Sequence, residues 1–404
     1  MTAIFRDQKV KNAIMIGTLC SCSYLGVYFA RNLLSAVTPQ IIEGGVYSTE
    51  YIGSLSSLYF TFYAVGQLLN GAVGDKIKAR YMISFGLMLA GLCNVLFPSM
   101  LDSAPAAHLT YGMTGFFLSM TYAPMTKVVA ENTEPIYATR CSLGYTFASF
   151  FGSPLAGVVA AILTWQSAFY CCSAALIVMG MVCFAVLLAF ERKGIVRYGQ
   201  YKPAKEQGRG GVGILIRHRI IRFSFVSIIT GVVRTTVVFW MPTYISQYLG
   251  FSAEKAAVTF TAATFIISLT AFIAVFLYEK LGRNMELTMR LSFISAVIFF
   301  LLTYFVKAPV LNIACLVLAI MSSNCAAAML WSRYCPSLRD TGRVSTATGF
   351  LDFLSYMAAA ASTSIFANAA VSIGWGNLIL VWCGLMAAGI IVMFCPALYK
   401  QKKG

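Results

Sequence analysis

Twelve stretches of roughly twenty residues with almost no charge, parted by short polar breaks, run the length of this sequence. They lie near 13–37, 51–72, 81–99, 108–127, 141–163, 167–190, 221–247, 255–277, 289–306, 309–332, 344–369 and 375–399. As helices, runs of that length reach across a hydrocarbon core of about 30 Å, and an open sheet cannot satisfy its backbone polar groups there. Of the 404 residues, 59% are hydrophobic and 11% charged, whereas a soluble surface carries about a quarter charged residues. The expected fold class is an all-α polytopic membrane protein with twelve transmembrane helices.

The formal net charge is +16, so the placement of the basic residues decides between a nucleic-acid partner and a lipid one. Of the 30 Lys and Arg, 26 fall at the N-terminus, in alternate loops, in residues 191–222 or in the tail. Only Lys255 and Lys307 occupy the opposite loops. By the positive-inside rule both termini and the middle segment are cytoplasmic, in a multi-pass protein of the cell inner or plasma membrane. The charge thus faces lipid headgroups, and no nucleic-acid partner is expected. The first run reads as a retained helix, not a cleaved signal peptide. Twelve cysteines without a C-x-x-C pair read as free, buried, small apolar residues, with no disulfide framework and no metal site. No cofactor is expected.

The chain repeats itself at one offset. Adding 203 converts Arg31 to Arg234, Pro39 to Pro242, Arg80 to Arg283 and Arg140 to Arg343. The pairs occupy matching places among the runs, which indicates two pseudo-symmetric six-helix halves. Their expected bounds are 1–190 and 223–404, joined by a basic linker at 191–222. The linker's G-R-G-G-V-G run follows no strand and precedes no G-K-[ST], so it is read as a flexible connector and not a phosphate loop.

Arg31 and Arg234 are the two basic residues that lie well inside apolar runs and not at or next to their ends. An arginine near the bilayer centre costs about 2.5–3.5 kcal/mol on insertion scales, so it is kept where it faces a cavity or a partner. Arg234 lies twelve residues past Arg222, about 18 Å along a helix. Two guanidiniums related by the repeat would form a fork-shaped clamp for phosphate or carboxylate. The alternative is that both snorkel to a rim or pair with internal carboxylates.

The run Tyr28-Phe-Ala-Arg31-Asn-Leu-Leu-Ser-Ala-Val-Thr-Pro39, the loop Gly71-Ala-Val-Gly74-Asp75-Lys76-Ile-Lys-Ala-Arg80, and Arg234 followed by Trp240-Met-Pro242-Thr-Tyr244 resemble the major facilitator superfamily. Within it the chain most resembles the organophosphate:phosphate antiporters, over its whole length. The resemblance implies that Arg31 and Arg234 bind the phosphoryl group, and that Tyr24, Tyr28 and Tyr63 line the pathway. It also implies a monomer. Two positions depart from the pattern: Gln67 stands where well-studied members carry Lys, and Ala148 where they carry His. The run R-N-L-L-S-A-V-T-P is also similar to the anion:cation symporters, which move sugar acids and other carboxylates.

Asp75, Lys76 and Arg80 read as a latch between helices, with Glu131 and Arg140 on its partner side. Asp352, nine residues past Arg343, is expected inside a run as a proton-coupling group, a counter-charge or a structural carboxylate. His108 and His218 receive no role. No nucleophile, metal cluster or carboxylate pair occurs at usable spacing, so an enzyme is not expected. The expected function is secondary transport of a small organic anion, foremost a phosphate ester exchanged for inorganic phosphate by alternating access. A proton-coupled carboxylate symporter and a sugar-phosphate-sensing receptor stay open.

Overall fold

A computed structural model of the chain describes residues 8–74, 77–100, 103–198, 215, 216, 218–338 and 344–394. They are almost wholly helical. Unbroken helices are α1 (Gln8–Glu43), α2 (Thr49–Gly74) and α3 (Ala79–Leu96). The fourth run forms two pieces, α4 (Ala104–Leu118) and α5 (Tyr122–Asn132), followed by α6 (Pro135–Ile162) and α7 (Trp165–Arg192). The break has a cause in Pro124, which offers no N–H to the turn before it and clashes with the carbonyl four residues back. Asn70 Nδ2 then donates to Ser119 Oγ at 2.7 Å, tying the broken turn to α2.

In the second part of the chain α8 (Ile220–Val232) passes through a wide π-turn, Val233–Val237, into α9 (Val238–Gln247). Then come α10 (Ala253–Ser268), α11 (Thr270–Lys280), α12 (Met285–Phe305), α13 (Pro309–Met329), α14 (Val344–Ser372) and α15 (Gly374–Phe394). Among the described residues nine helices are long and apolar enough to cross a bilayer. The remaining predicted runs coincide with α2, the broken pair α4 and α5, and α6. Large apolar side chains such as Ile162, Phe272 and Ile391 stand outward at 76%, 62% and 69% exposure, as a lipid-facing surface requires and a water-facing one rarely shows.

The chain forms two compact units. One comprises Met1–Val46, Leu58–Pro203 and Ala253–Thr261; the other comprises Tyr47–Ser57, Ala204–Ser252 and Ala262–Gly404. In the first, α1 packs on α6 and α7, and α3 packs on α7 and α4. In the second, α8 packs on α14, and α12 on α15 and α13. These are the same pairings moved by 203 residues. The equivalence extends to single residues. An added Cβ on Gly152 would fall on the Tyr28 Cβ and lie 2.6 Å from the Tyr28 carbonyl carbon. At the positions 203 further on, a Cβ on Gly231 would fall on Ser355 Oγ and lie 2.9 Å from its Cβ. Each unit therefore brings its first helix against its fifth at one close approach, with the glycine on opposite partners.

Polar side chains finish the packing where helices need fixing. In the second unit Tyr244 donates to Asn312 Oδ1 at 2.6 Å, and Asn312 Nδ2 donates to the carbonyls of Thr303 and Val306 at 2.8 and 2.9 Å. That network is buried and ties α9 to α12 and α13. Eleven free cysteines are described, eight of them buried; Cys22 and Cys171 are exposed and Cys93 is half-buried. For those three the sequence expectation of a buried apolar role does not hold, because they sit on outward helix faces.

Candidate functional site

In the first unit the site is built around Arg31. It lies in the unbroken stretch of α1 and is 7% exposed. Its guanidinium carbon stands 5.2 Å from the Tyr28 ring centroid, 5.4 Å from Phe60 and 5.6 Å from Tyr63. Tyr28 precedes Arg31 by three residues on one helix face, and Phe60 and Tyr63 have the same spacing on α2. Each of the three π faces attracts the desolvated cation, by up to about 2 kcal/mol for a desolvated pair. The ring of Tyr24 stands 5.0 Å from that of Tyr28, edge to face. Gln67 is half-buried one turn beyond Tyr63 on α2. The predicted Tyr28 and Tyr63 thus meet Arg31, with Tyr24 one ring further out.

In the second unit Arg234 is half-buried and sits inside the π-turn. Such turns are frequent at functional positions. Its neighbours anchor the turn to α14: Thr236 Oγ1 lies 2.8 Å from Ser362 Oγ, and Trp240 Nε1 donates to the Thr363 carbonyl at 3.2 Å. The repeat mate Arg31 lies in regular helix, so the two arginines have unlike backbone settings. Asp352 is half-buried on α14 and acts electrostatically on Cys335. The neighbouring Leu351 carbonyl accepts from Ser227 Oγ at 2.7 Å.

Of the predicted latch, Asp75 and Lys76 lie outside the described residues. Arg140 falls in α6, but its side chain is outside them too; Glu131 is half-buried on α5. Arg80 is the informative member. Its Nη1 meets Glu191 Oε2 at 2.8 Å, its Nη2 donates to Tyr81 Oη at 2.7 Å, and its guanidinium stacks over Tyr81 and Phe184 at 4.6 and 5.2 Å. Tyr198 donates to Glu191 Oε1 at 2.9 Å. Burial, and the bond to and charge of Glu191, push the Tyr198 phenol well above its ordinary range. The chain reaches Tyr198 through Gly194, whose φ of +69° closes the end of α7. The Arg197 N–H donates to Asn132 Oδ1 at 2.7 Å. Sequence reasoning did not single out Glu191. Its signal was present, as the acid that opens the basic linker in the last turn of a helix.

A second cluster was also missed. Glu286 meets Arg219 at 2.7 Å, Arg222 at 3.4 Å and Arg290 at 3.5 Å. Arg222 is 1% exposed and donates to the Val392 and Met393 carbonyls at the end of α15. Arg290 also donates to Met393 and lies over Phe394 at 4.6 Å. Two arginines thereby cap the C-terminus of α15, where the helix dipole and unpaired carbonyls favour cations. Among the described residues no group of His, Cys, Asp or Glu is placed to hold a metal ion.

Comparison with known proteins gives these features a context. The Major Facilitator Superfamily pattern matches residues 20–363. The membrane sensor protein UhpC of Escherichia coli is 25% identical over 61% of this chain and 61% of its own, so this match spans less than two thirds of that relative. The phosphoglycerate transporter protein of Salmonella typhimurium is 25% identical over 92% of this chain and 86% of its own. Among solved structures, a D-xylose-proton symporter superposes with a TM-score of 0.72 at 12% identity, over 96% of this chain and 98% of that one, which establishes the shared fold. The relatives agree with the sequence resemblance to organophosphate:phosphate antiporters, and the nine long apolar helices among the described residues fit a multi-pass membrane protein. The chain belongs to the major facilitator superfamily.

Proposed function

We propose that the chain exchanges a small phosphate ester for inorganic phosphate by alternating access, with Arg31 and Arg234 together binding the phosphoryl group. The observation that carries this reading is Arg31: an arginine 7% exposed among three aromatic rings, whose repeat mate interrupts its helix at the equivalent position. The similarity to the phosphoglycerate transporter protein of Salmonella typhimurium supports the ester. The halves 1–190 and 223–404, joined by the 191–222 linker, would rock about the bound anion with both termini cytoplasmic, as a monomer in the lipid bilayer. Exchange follows from charge. Two arginines in an emptied, closed cavity raise the energy of reorientation, and a bound dianion offsets them.

The experiment is counterflow of labelled inorganic phosphate into proteoliposomes, preloaded with phosphate or empty. Uptake confined to preloaded vesicles, and lost in both Arg31→Lys and Arg234→Lys, is the expected result. Normal exchange in both variants would end the clamp. A second reading rests on the UhpC relative, a sensor: the same residues would then bind the ester without turnover. Saturable ester binding with no exchange under any loading would select it.

A further inference from the structure

We propose that Tyr122 and Tyr145 extend the Arg31 site into an aromatic wall that selects a phosphate ester with a body the size of a monosaccharide ring. This deepens the exchange reading and rests on it for the position of the phosphoryl group. The wall is continuous ring by ring. From Tyr28, 5.2 Å from the Arg31 guanidinium, it passes to Tyr24 at 5.0 Å, and from Tyr24 to Tyr122 at 5.4 Å and Tyr145 at 6.1 Å. Tyr122 and Tyr145 close it at 6.3 Å, edge to face. The rings come from α1, α5 and α6. Tyr122 is the first residue of α5, so the break before Pro124 sets its position.

Three observations distinguish this wall from an ordinary core cluster. Tyr24 and Tyr145 are 8% and 5% exposed, but Tyr122 keeps 37%, so the cluster has an open edge at its far end. Every member is tyrosine, pairing an apolar face with a hydroxyl that both donates and accepts. Finally, Gln67 and Ala148, one turn from Tyr63 and Tyr145, contribute no charge, so the wall offers stacking and hydroxyls and not a second anion site. A sugar ring suits such a surface, with C–H faces on the rings and hydroxyls at the phenols. Size separates substrates: Tyr122 and Tyr145 lie one ring step, 5.4 and 6.1 Å, beyond Tyr24, further along the wall from Arg31 than Tyr28 and Tyr24. A three-carbon ester held by its phosphoryl group ends near Tyr28 and Tyr24, whereas a six-carbon ring reaches Tyr122 and Tyr145.

The test is competition against labelled phosphate counterflow by glucose 6-phosphate, glycerol 3-phosphate and unlabelled phosphate. For Tyr122→Ala and Tyr145→Ala, the half-inhibition ratio of glucose 6-phosphate to inorganic phosphate should rise about fivefold. The glycerol 3-phosphate ratio should stay within about twofold, and Tyr122→Phe and Tyr145→Phe, which keep the ring and lose the hydroxyl, should raise the glucose 6-phosphate ratio by less than the alanine variants do. The proposal is overturned if the alanine variants leave the glucose 6-phosphate ratio unmoved, shift both esters equally, or match the phenylalanine variants. If the unmodified chain shows no phosphate exchange, the exchange reading fails by itself. The wall is then judged by thermal shift of purified protein with glucose 6-phosphate against glycerol 3-phosphate. A larger shift with glucose 6-phosphate that the alanine variants lose upholds it, and equal shifts overturn it.

Discussion

Breaking the Arg80–Glu191 pair gives the sharpest test of the packing. The side chains are 8% and 15% exposed and meet at 2.8 Å. At an effective dielectric constant near 20, unit charges about 4 Å apart attract by roughly 4 kcal/mol, and desolvation takes back part of it. A coupling of about 2 kcal/mol is expected to survive, because Tyr81 satisfies a second arm of Arg80 and Tyr198 holds the other Glu191 oxygen. Arg80→Ala should cost about 3–5 kcal/mol, since it leaves a carboxylate with one phenol and strips the rings of their cation. Glu191→Gln keeps an acceptor and should cost about 2 kcal/mol. The assay is a double-mutant cycle on unfolding by SDS titration in mixed micelles. The double variant should lose about 2 kcal/mol less than the sum of the singles. Additivity to within about 0.5 kcal/mol would mean the pair is no coupled latch, and its role would shrink to helix packing.

Other perturbations follow from the same geometry. Arg222→Leu removes a 1% exposed guanidinium that holds the Val392 and Met393 carbonyls and faces Glu286; a loss of about 3 kcal/mol by SDS unfolding is expected. Gly152→Val drives a side chain into Tyr28 backbone at 2.6 Å, while Gly384 has open space around it. The first should lower thermal stability by the equivalent of about 3 kcal/mol or more, and Gly384→Ala should be neutral or mildly stabilising. Tyr198 holds its proton more tightly folded than unfolded, where the ordinary value is 10.0. Its contribution is therefore complete below pH 10 and lost as pH rises above it, and Tyr198→Phe should flatten that alkaline slope in a thermal-shift series. Asp352→Asn should leave phosphate counterflow intact; abolished proton-driven uptake of a carboxylate with counterflow absent throughout would instead favour symport.

Much of this was legible along the chain because the bilayer imposes length and polarity on every span. Apolar runs predict helices well when no water competes for the backbone, and the offset of 203 anticipated that α1 with α6 and α8 with α14 would pack alike. Helix interruptions were not legible in the same way. The run at 108–127 breaks before Pro124 and the run at 221–247 passes through a π-turn at Arg234. Hydropathy averages over about twenty residues and is blind to a single lost hydrogen bond.

Partner choice was the other gap. Charge placement marked Arg80 as a latch residue, but Glu191 lies 111 residues away, and Glu286 gathers Arg219, Arg222 and Arg290 from two helices. Nothing in a linear pattern says which acid a buried arginine will meet. The sequence by itself determined the class, the repeat and the two membrane arginines, because those follow from transfer energies and internal symmetry that each residue carries locally. Only the tertiary structure decided which rings surround Arg31, and that Tyr122 and Tyr145 join them. Such contacts depend on where a broken helix re-enters the bundle, which is settled by packing of distant segments and not by any residue alone.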